Sequence, residues 1–243
     1  MRFFFWSYNL FSKVAHKGPL DRVLSINEQI RFWYKANRKM NWGIKRDELK
    51  RVEASSPQTL NEDDRIKGFI GLALFYGFGD DGYGYSDAVL SGKLVWKYAG
   101  AFRNRKTWQC EYVDFNKPQD IRLRPGAPAR PKGFYYAKIQ SGGKFKAMTV
   151  SQVRKTMTNF TGWGPEGFQF LSITHSHFAN LMNEREIPFM ALADYDVAPY
   201  GYNDFFDAPQ MFCSNNTLGL GIGNVDRNYP LFGIPTLQLN GGP

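Results

Sequence analysis

Apolar and polar positions recur along the chain with two periods, and each change of period marks an element. Behind Ser25-Ile-Asn-Glu28, the apolar positions Ile30, Trp33 and Tyr34 fall at helical spacing. That tetrapeptide fits a capping box, in which a Ser hydroxyl and a Glu carboxylate satisfy free amides at a helix start. A helix of about three turns is therefore predicted, with those three side chains inward. Thr59-Leu-Asn-Glu62 repeats the signature, and Asp63 and Asp64 suit the positive end of a helix dipole. Ile66, Phe69, Ile70, Ala73 and Leu74 then read as one buried helical face that ends in the glycine-rich GFGDDGYGYSD. Ser86 is placed to cap a third helix through Leu90, Leu94 and Tyr98.

From Thr107 the period shortens. TWQCEYVDF alternates large apolar with polar residues and predicts a strand. KPQDIRLRPGAPARPKG, rich in Pro, Gly and Arg, is expected to be an exposed connection; residues 118–132 would join a helix-rich region 1–117 to an α/β region 133–243. GFYYAKIQ predicts a strand, and Thr149-Val-Ser-Gln152 opens a further helix with a capping box. After the loop TGWGPEG come a strand FQFLSITH, a short helix SHFANLMNER and a strand PFMALADY. This alternation points to parallel βαβ units with strands covered on both faces. APQMFCS, TLGLGIG and LFGIPTLQL complete the chain as short strands. The fold class predicted is α/β (or α+β), a helical N-terminal half followed by a mixed, partly parallel sheet with flanking helices.

Composition narrows the picture. With 43% hydrophobic and 16% aromatic residues, the 243-residue chain can bury a sizeable core and is not a disordered segment. The longest apolar run, FIGLALFYGFG, is about half the length a membrane-spanning helix needs. MRFFFWSYNLFSKVAHKG is interrupted by Ser7, Tyr8 and Asn9 and reads as an early strand, not a targeting segment. A cytoplasmic protein with no membrane partner is expected, and its two cysteines, Cys110 and Cys213, are expected to be thiols.

Charge is segregated. Residues 93–155 hold fifteen Lys/Arg against three Asp/Glu, while 156–243 hold two against eight. This distribution predicts a basic surface for nucleic acid or another polyanion beside an acidic region. Arg103, Arg105, Lys106, Arg122, Arg124, Arg130 and Lys132 are the candidate phosphate contacts, interleaved with Phe102, Trp108, Tyr135 and Tyr136.

The histidines and aspartates of FQFLSITHSHFANLMNEREIPFMALADYDV carry the candidate chemistry. If its two strands are parallel neighbours, His175 and Asp194 emerge together at the carboxyl edge of the sheet, where open α/β folds bind ligands. His175 and Asp194 would act as catalytic groups, and His177 with Asp196 would help hold a divalent metal ion such as Zn, Mn or Mg. Tyr200, Asn203, Asp204 and Cys213 would line a neighbouring pocket. Asp80, Asp81 and Asp87 are a second place for a cation, and Gly219, Gly221 and Gly223 would let backbone approach a phosphate. THSHFAN resembles the T-H-x-H-x-D-H box of the metallo-β-lactamase fold, which implies zinc ligands at His175 and His177; Ala179 and Asn180 stand where that box has its Asp and last His, so membership is not inferred. LGLGIGNVDRNYPLFG is similar in composition to the glycine-rich loops of CRISPR repeat-associated RNA-binding proteins, a similarity confined to that segment. The leading expectation is a hydrolase acting on a phosphate-bearing or nucleic-acid substrate through the His/Asp site. The alternatives are a non-catalytic RNA- or DNA-binding component and a structural interaction protein.

Overall fold

The computed structural model describes residues 23–54, 59–79, 87–102, 106–115, 117, 120–178, 182, 188–199, 204–214 and 217–239. The opening segment, Asp80, Asp81, Ser86, Arg103, Arg105, Tyr200, Asn203 and most of SHFANLMNER lie outside the described residues.

The Ser25–Glu28 capping box forms, and α1 runs Ile26–Met40 with Ile30 and Trp33 buried and Tyr34 at the rim of the core. After α2 (Arg46–Ala54) the chain departs from the sequence expectation. The next helix, α3, covers only Glu62–Ile66, and its capping box joins Asn61 to Asp64 in place of Thr59 and Glu62. Gly68, at φ 86°, ends it. The following apolar run extends as β1 (Gly71–Gly77), so Ala73 and Leu74 lie on a strand, while Ile66 is 76% exposed. A run apolar at nearly every position has no helical period and suits a strand covered on both faces.

Strand β1 forms a four-stranded antiparallel sheet with β4 (Gly133–Gln140), β11 (Thr236–Leu239) and β5 (Thr161–Gly162), in the order β1-β4-β11-β5. Its outer edge pairs with side chains. Gln29 donates to Leu72 O at 2.9 Å and accepts from Leu74 N at 2.8 Å, and Trp33 Nε1 donates to Leu74 O at 3.2 Å. Gln169 does the same for Tyr76, accepting from its N–H at 2.8 Å and donating to its O at 2.7 Å. Two buried glutamines thus satisfy ladder groups that an open edge would leave available to another chain.

The second sheet has seven strands. It contains β2 (Lys106–Gln109), β3 (Ile121–Leu123), β6 (Phe189–Ala191), β7 (Tyr195–Val197), β8 (Asp207–Ser214), β9 (Thr217–Asn224) and β10 (Phe232–Gly233). The β2/β9 and β10/β6 pairs are parallel and the others antiparallel, so the sheet is mixed and partly parallel. Helix α4 (Asp87–Phe102) and α6 (Pro165–Gln169) cover one face, with Trp96 and Phe168 at 6.2 Å and Phe168 and Tyr195 at 6.1 Å. Helix α5 (Val150–Thr156), opened by the predicted Thr149–Gln152 box, packs Val150 and Val153 with Ala191, Ala193 and Ala208 on the other face.

One expectation that placed the candidate site is corrected. FQFLSITH is no strand: α6 continues into a π-helical turn over Phe170–Thr174, buried throughout. Gly164-Pro165 puts Pro at the first turn, where it favours a helix start, and total burial erases the period that would distinguish helix from strand. Within 120–132, β3 covers Ile121–Leu123 and the Arg130 side chain is buried, while Pro125, Gly126, Pro128, Ala129 and Lys132 are exposed. Among the described residues, no helix is long and apolar enough to cross a membrane.

Candidate nucleic-acid interface

The histidines and aspartates that the sequence groups are placed apart. His175 closes the π-helical turn, its N–H donating to Phe170 O at 2.7 Å. Its buried ring stacks on Phe170 at 4.1 Å, and Nε2 accepts from Leu24 N at 2.9 Å, tying the start of α1 to this turn. An imidazole that accepts at Nε2 is neutral and carries its proton on Nδ1, here 2.7 Å from Thr174 Oγ1. Burial, and then the neighbouring His177, hold the His175 pKa well below its ordinary value. The ring already has a partner at each nitrogen.

Asp194 lies elsewhere, in the turn between β6 and β7. PFMALADY does extend along β8, but the strand breaks where Tyr195 N–H donates to Leu192 O, and this turns Asp194 toward the first sheet. Its carboxylate accepts from Arg124 Nε at 3.0 Å, Arg130 Nη2 at 2.8 Å, Gly162 N at 3.2 Å and the Thr161 hydroxyl. Glu166 is filled in the same way, by Arg130 through Nε at 2.7 Å and Nη2 at 3.3 Å, Tyr135 Oη at 2.7 Å and Gly164 N at 3.0 Å. A carboxylate offers about four acceptor positions. Both carboxylates have that number filled within the fold.

Arg130 is the centre of this cluster. Its side chain is 0% exposed and also reaches Pro128 O and Gly162 O, so one guanidinium links α6, the first sheet and the β6–β7 turn of the second. Burial opposes its charge, but Glu166 and Asp194 outweigh that and raise its pKa above the ordinary arginine value. Asp196 is paired to Arg154 at 2.9 Å, and Arg154 also caps Ala193 O and Tyr195 O. Arg122, half exposed, lies 4.0 Å from Asp196 and over the Phe205 ring at 3.5 Å. Of the candidate phosphate contacts, Arg124 and Arg130 are therefore engaged within the fold, while Lys106 and Lys132 are exposed. Asp204 is exposed and Cys213 is buried in the core. Among the described residues, no three His, Cys, Asp or Glu side chains are grouped to hold a metal ion.

A different surface is left open. On β9, Leu218, Leu220 and Ile222 alternate with Gly219, Gly221 and Gly223, so one face of the strand has no side chains there. The flanking strands lay their rings over that gap. Phe212 of β8 sits against Gly219, and Trp108 of β2 reaches to within 5.8 Å of Phe212 across β9. Gln210 likewise covers Gly223, whereas a Cβ at Gly221 would meet only ring edges, Phe212 at 3.7 Å and Trp108 at 4.0 Å. The row continues from Phe212 to Phe189 at 6.2 Å, to Phe232 at 5.4 Å and to Tyr229 at 5.9 Å. Trp108 is 50% exposed, and Phe212, Phe232 and Tyr229 are partly so. Lys106 shares the face of Trp108, two residues away on the same strand, and Arg227 lies 5.5 Å from the Tyr229 ring at the other end.

Sequence reasoning marked Lys106 and Trp108 but missed Phe212, Phe232, Tyr229 and Arg227. Two signals were available: Lys106 and Trp108 alternate with Thr107 and Gln109, and the Gly-x-Gly-x-Gly of β9 is a strand pattern with one empty face. No family model, no curated protein and no solved structure matches the chain.

Proposed function

We propose that this protein is a non-catalytic nucleic-acid-binding component, and that the aromatic row of the seven-stranded sheet, beside the part of that face that α5 covers, is its binding surface. The observation that carries this reading is the row of partly exposed rings with a cation at each end, Lys106 beside Trp108 and Arg227 beside Tyr229. Cations neutralise phosphates, and rings offer flat apolar surface to bases. The chain's net charge of +9 favours encounter with a polyanion over a neutral or acidic partner. A hydrolytic reading centred on His175 and Asp194 would first have to release His175 from Leu24 and Asp194 from two arginines.

The test is a titration of labelled oligonucleotide by fluorescence anisotropy over a range of salt, with the native chain and a Lys106→Glu/Arg227→Glu variant. The native protein should bind with a log K that falls linearly in log salt, and the variant should bind more weakly with a shallower slope, by about one unit per lost phosphate contact. A folded protein that binds no nucleic acid, or a variant identical to the native chain, would remove this face from the account.

A further inference from the structure

We infer that the ligand of this face is single-stranded nucleic acid, held by stacking of unpaired bases on Trp108 and its neighbours along the row; this rests on the nucleic-acid reading above and specifies its substrate class.

The geometry of the rings argues for it. Strands of a sheet lie about 4.8 Å apart, so β2 and β8, separated by β9, would ordinarily keep their side chains well clear of each other. The missing side chains at Gly219 and Gly221 let the Trp108 and Phe212 rings lean inward over β9 to a 5.8 Å centroid distance. The two rings are tilted 49° to one another, and Trp108 stays 50% exposed there, so part of its ring is open to solvent. Gly221 keeps the floor between the two rings low, since the nearest side-chain atoms to its Cβ position are those ring edges.

Spacing decides between single strand and duplex. The Trp108 and Phe212 rings are 5.8 Å apart and the Phe232 and Tyr229 rings 5.9 Å, whereas bases in a duplex are stacked on one another at about 3.4 Å, with their faces hidden. A duplex can offer this surface only its phosphates. An extended single strand can place separate unstacked bases on separate rings while Lys106 and Arg227 meet phosphates at the two ends. Base identity plays a small part, because every base has a π-face and the row offers few hydrogen-bonding groups to read an edge. Phe189, only 7% exposed, supports the row from below and is not a stacking surface.

The experiment compares an oligothymidylate of about twelve nucleotides, the corresponding duplex and heparin, each titrated into the native chain and into Trp108→Ala, Trp108→Phe and Trp108→Glu variants confirmed as folded by thermal melting. The single strand should bind at least about tenfold more tightly than the duplex; Trp108→Ala should weaken it about tenfold or more without changing the salt slope, and Trp108→Phe should restore most of the loss. Equal affinity for single strand, duplex and heparin, with Trp108→Ala at the native value, would overturn the stacking inference and leave a purely electrostatic nucleic-acid surface. Absence of binding to any of the three would overturn the functional reading itself. A dimer that dissociates in Trp108→Glu, with oligonucleotide affinity unchanged, would assign the face to a second copy of the chain and overturn the inference as well.

Discussion

The cluster around Arg130 and the row around Trp108 are both built from residue types that recognise ligands, and they stand in opposite states. In the first, two arginines and two carboxylates cancel one another's charge, and Asp194 and Glu166 have each accepted four hydrogen bonds. In the second, rings that would usually be buried lie on a sheet face with a cation at either end and solvent above them. Charge along a sequence therefore does not mark what is available to a partner. Opposite charges far apart in the chain, such as Arg130 and Asp194, can neutralise one another inside the fold. Aromatic side chains can lie over the glycines of a neighbouring strand and remain partly exposed.

The largest expected effect breaks the closed cluster. Arg130→Met strips donors from two buried carboxylates, and removing one partner of a buried ion pair costs about 3–5 kcal/mol. Urea denaturation should show that loss, while single-strand affinity of the protein still folded stays within about twofold, since Arg130 is remote from solvent. Lost affinity at native stability would mean that the two clusters are one site.

An intermediate effect is expected from acid, acting at His175. Its native pKa is depressed by burial and by His177, with Glu28 opposing weakly, while the unfolded value is near 6.5. The unfolded chain then binds the proton more readily, so the stability contributed by neutral His175 is present above about pH 6.5 and is lost as the pH falls below it. Protonation would set an Nε2–H against the Leu24 N–H, freeing the start of α1. Thermal midpoints should fall between about pH 7 and 5, and a His175→Leu variant, less stable throughout, should show a flatter profile in that window. A native slope retained in the variant would place the titration at another group.

The smallest effect sharpens the comparison from the other side. Trp108→Ala should change folding stability by about 1 kcal/mol or less, as expected for a half-exposed side chain, even though it weakens binding about tenfold or more. A large loss of stability would make Trp108 a core residue and the row a part of the packing.

Local signals in the sequence held well. The Ser25 and Thr149 boxes each opened a helix where the spacing predicts one, because capping is decided within four residues. The short strands expected in APQMFCS, TLGLGIG and LFGIPTLQL also formed. The box expected at Thr59 formed two residues later, at Asn61, and the expectations for two longer runs failed where nearly every position is at least partly buried. LALFYG became a strand and FQFLSIT a helix, since burial on all sides removes the period that separates the two. The step that brought His175 and Asp194 to one sheet edge rested on two parallel neighbouring strands, and FQFLSITH is not a strand. The pairing of Arg130 with Glu166 and Asp194 spans 36 and 64 residues, and no local pattern announces it. The aromatic row was partly legible at Lys106 and Trp108, but Phe212 and Phe232 join it only through strand pairing.

The most direct test of the account is photo-crosslinking of the native protein to a single strand carrying halogenated uracil, which joins covalently to aromatic rings on which it stacks, followed by mass spectrometric mapping of the modified peptide. The account predicts adducts at Trp108, with lesser ones at Phe212 or Phe232, and their loss in Trp108→Ala at the first of these positions. Adducts concentrated around His175, Asp194 and Asp196, with Trp108 unmodified, would contradict it and return the chemistry to the histidine and aspartate segment.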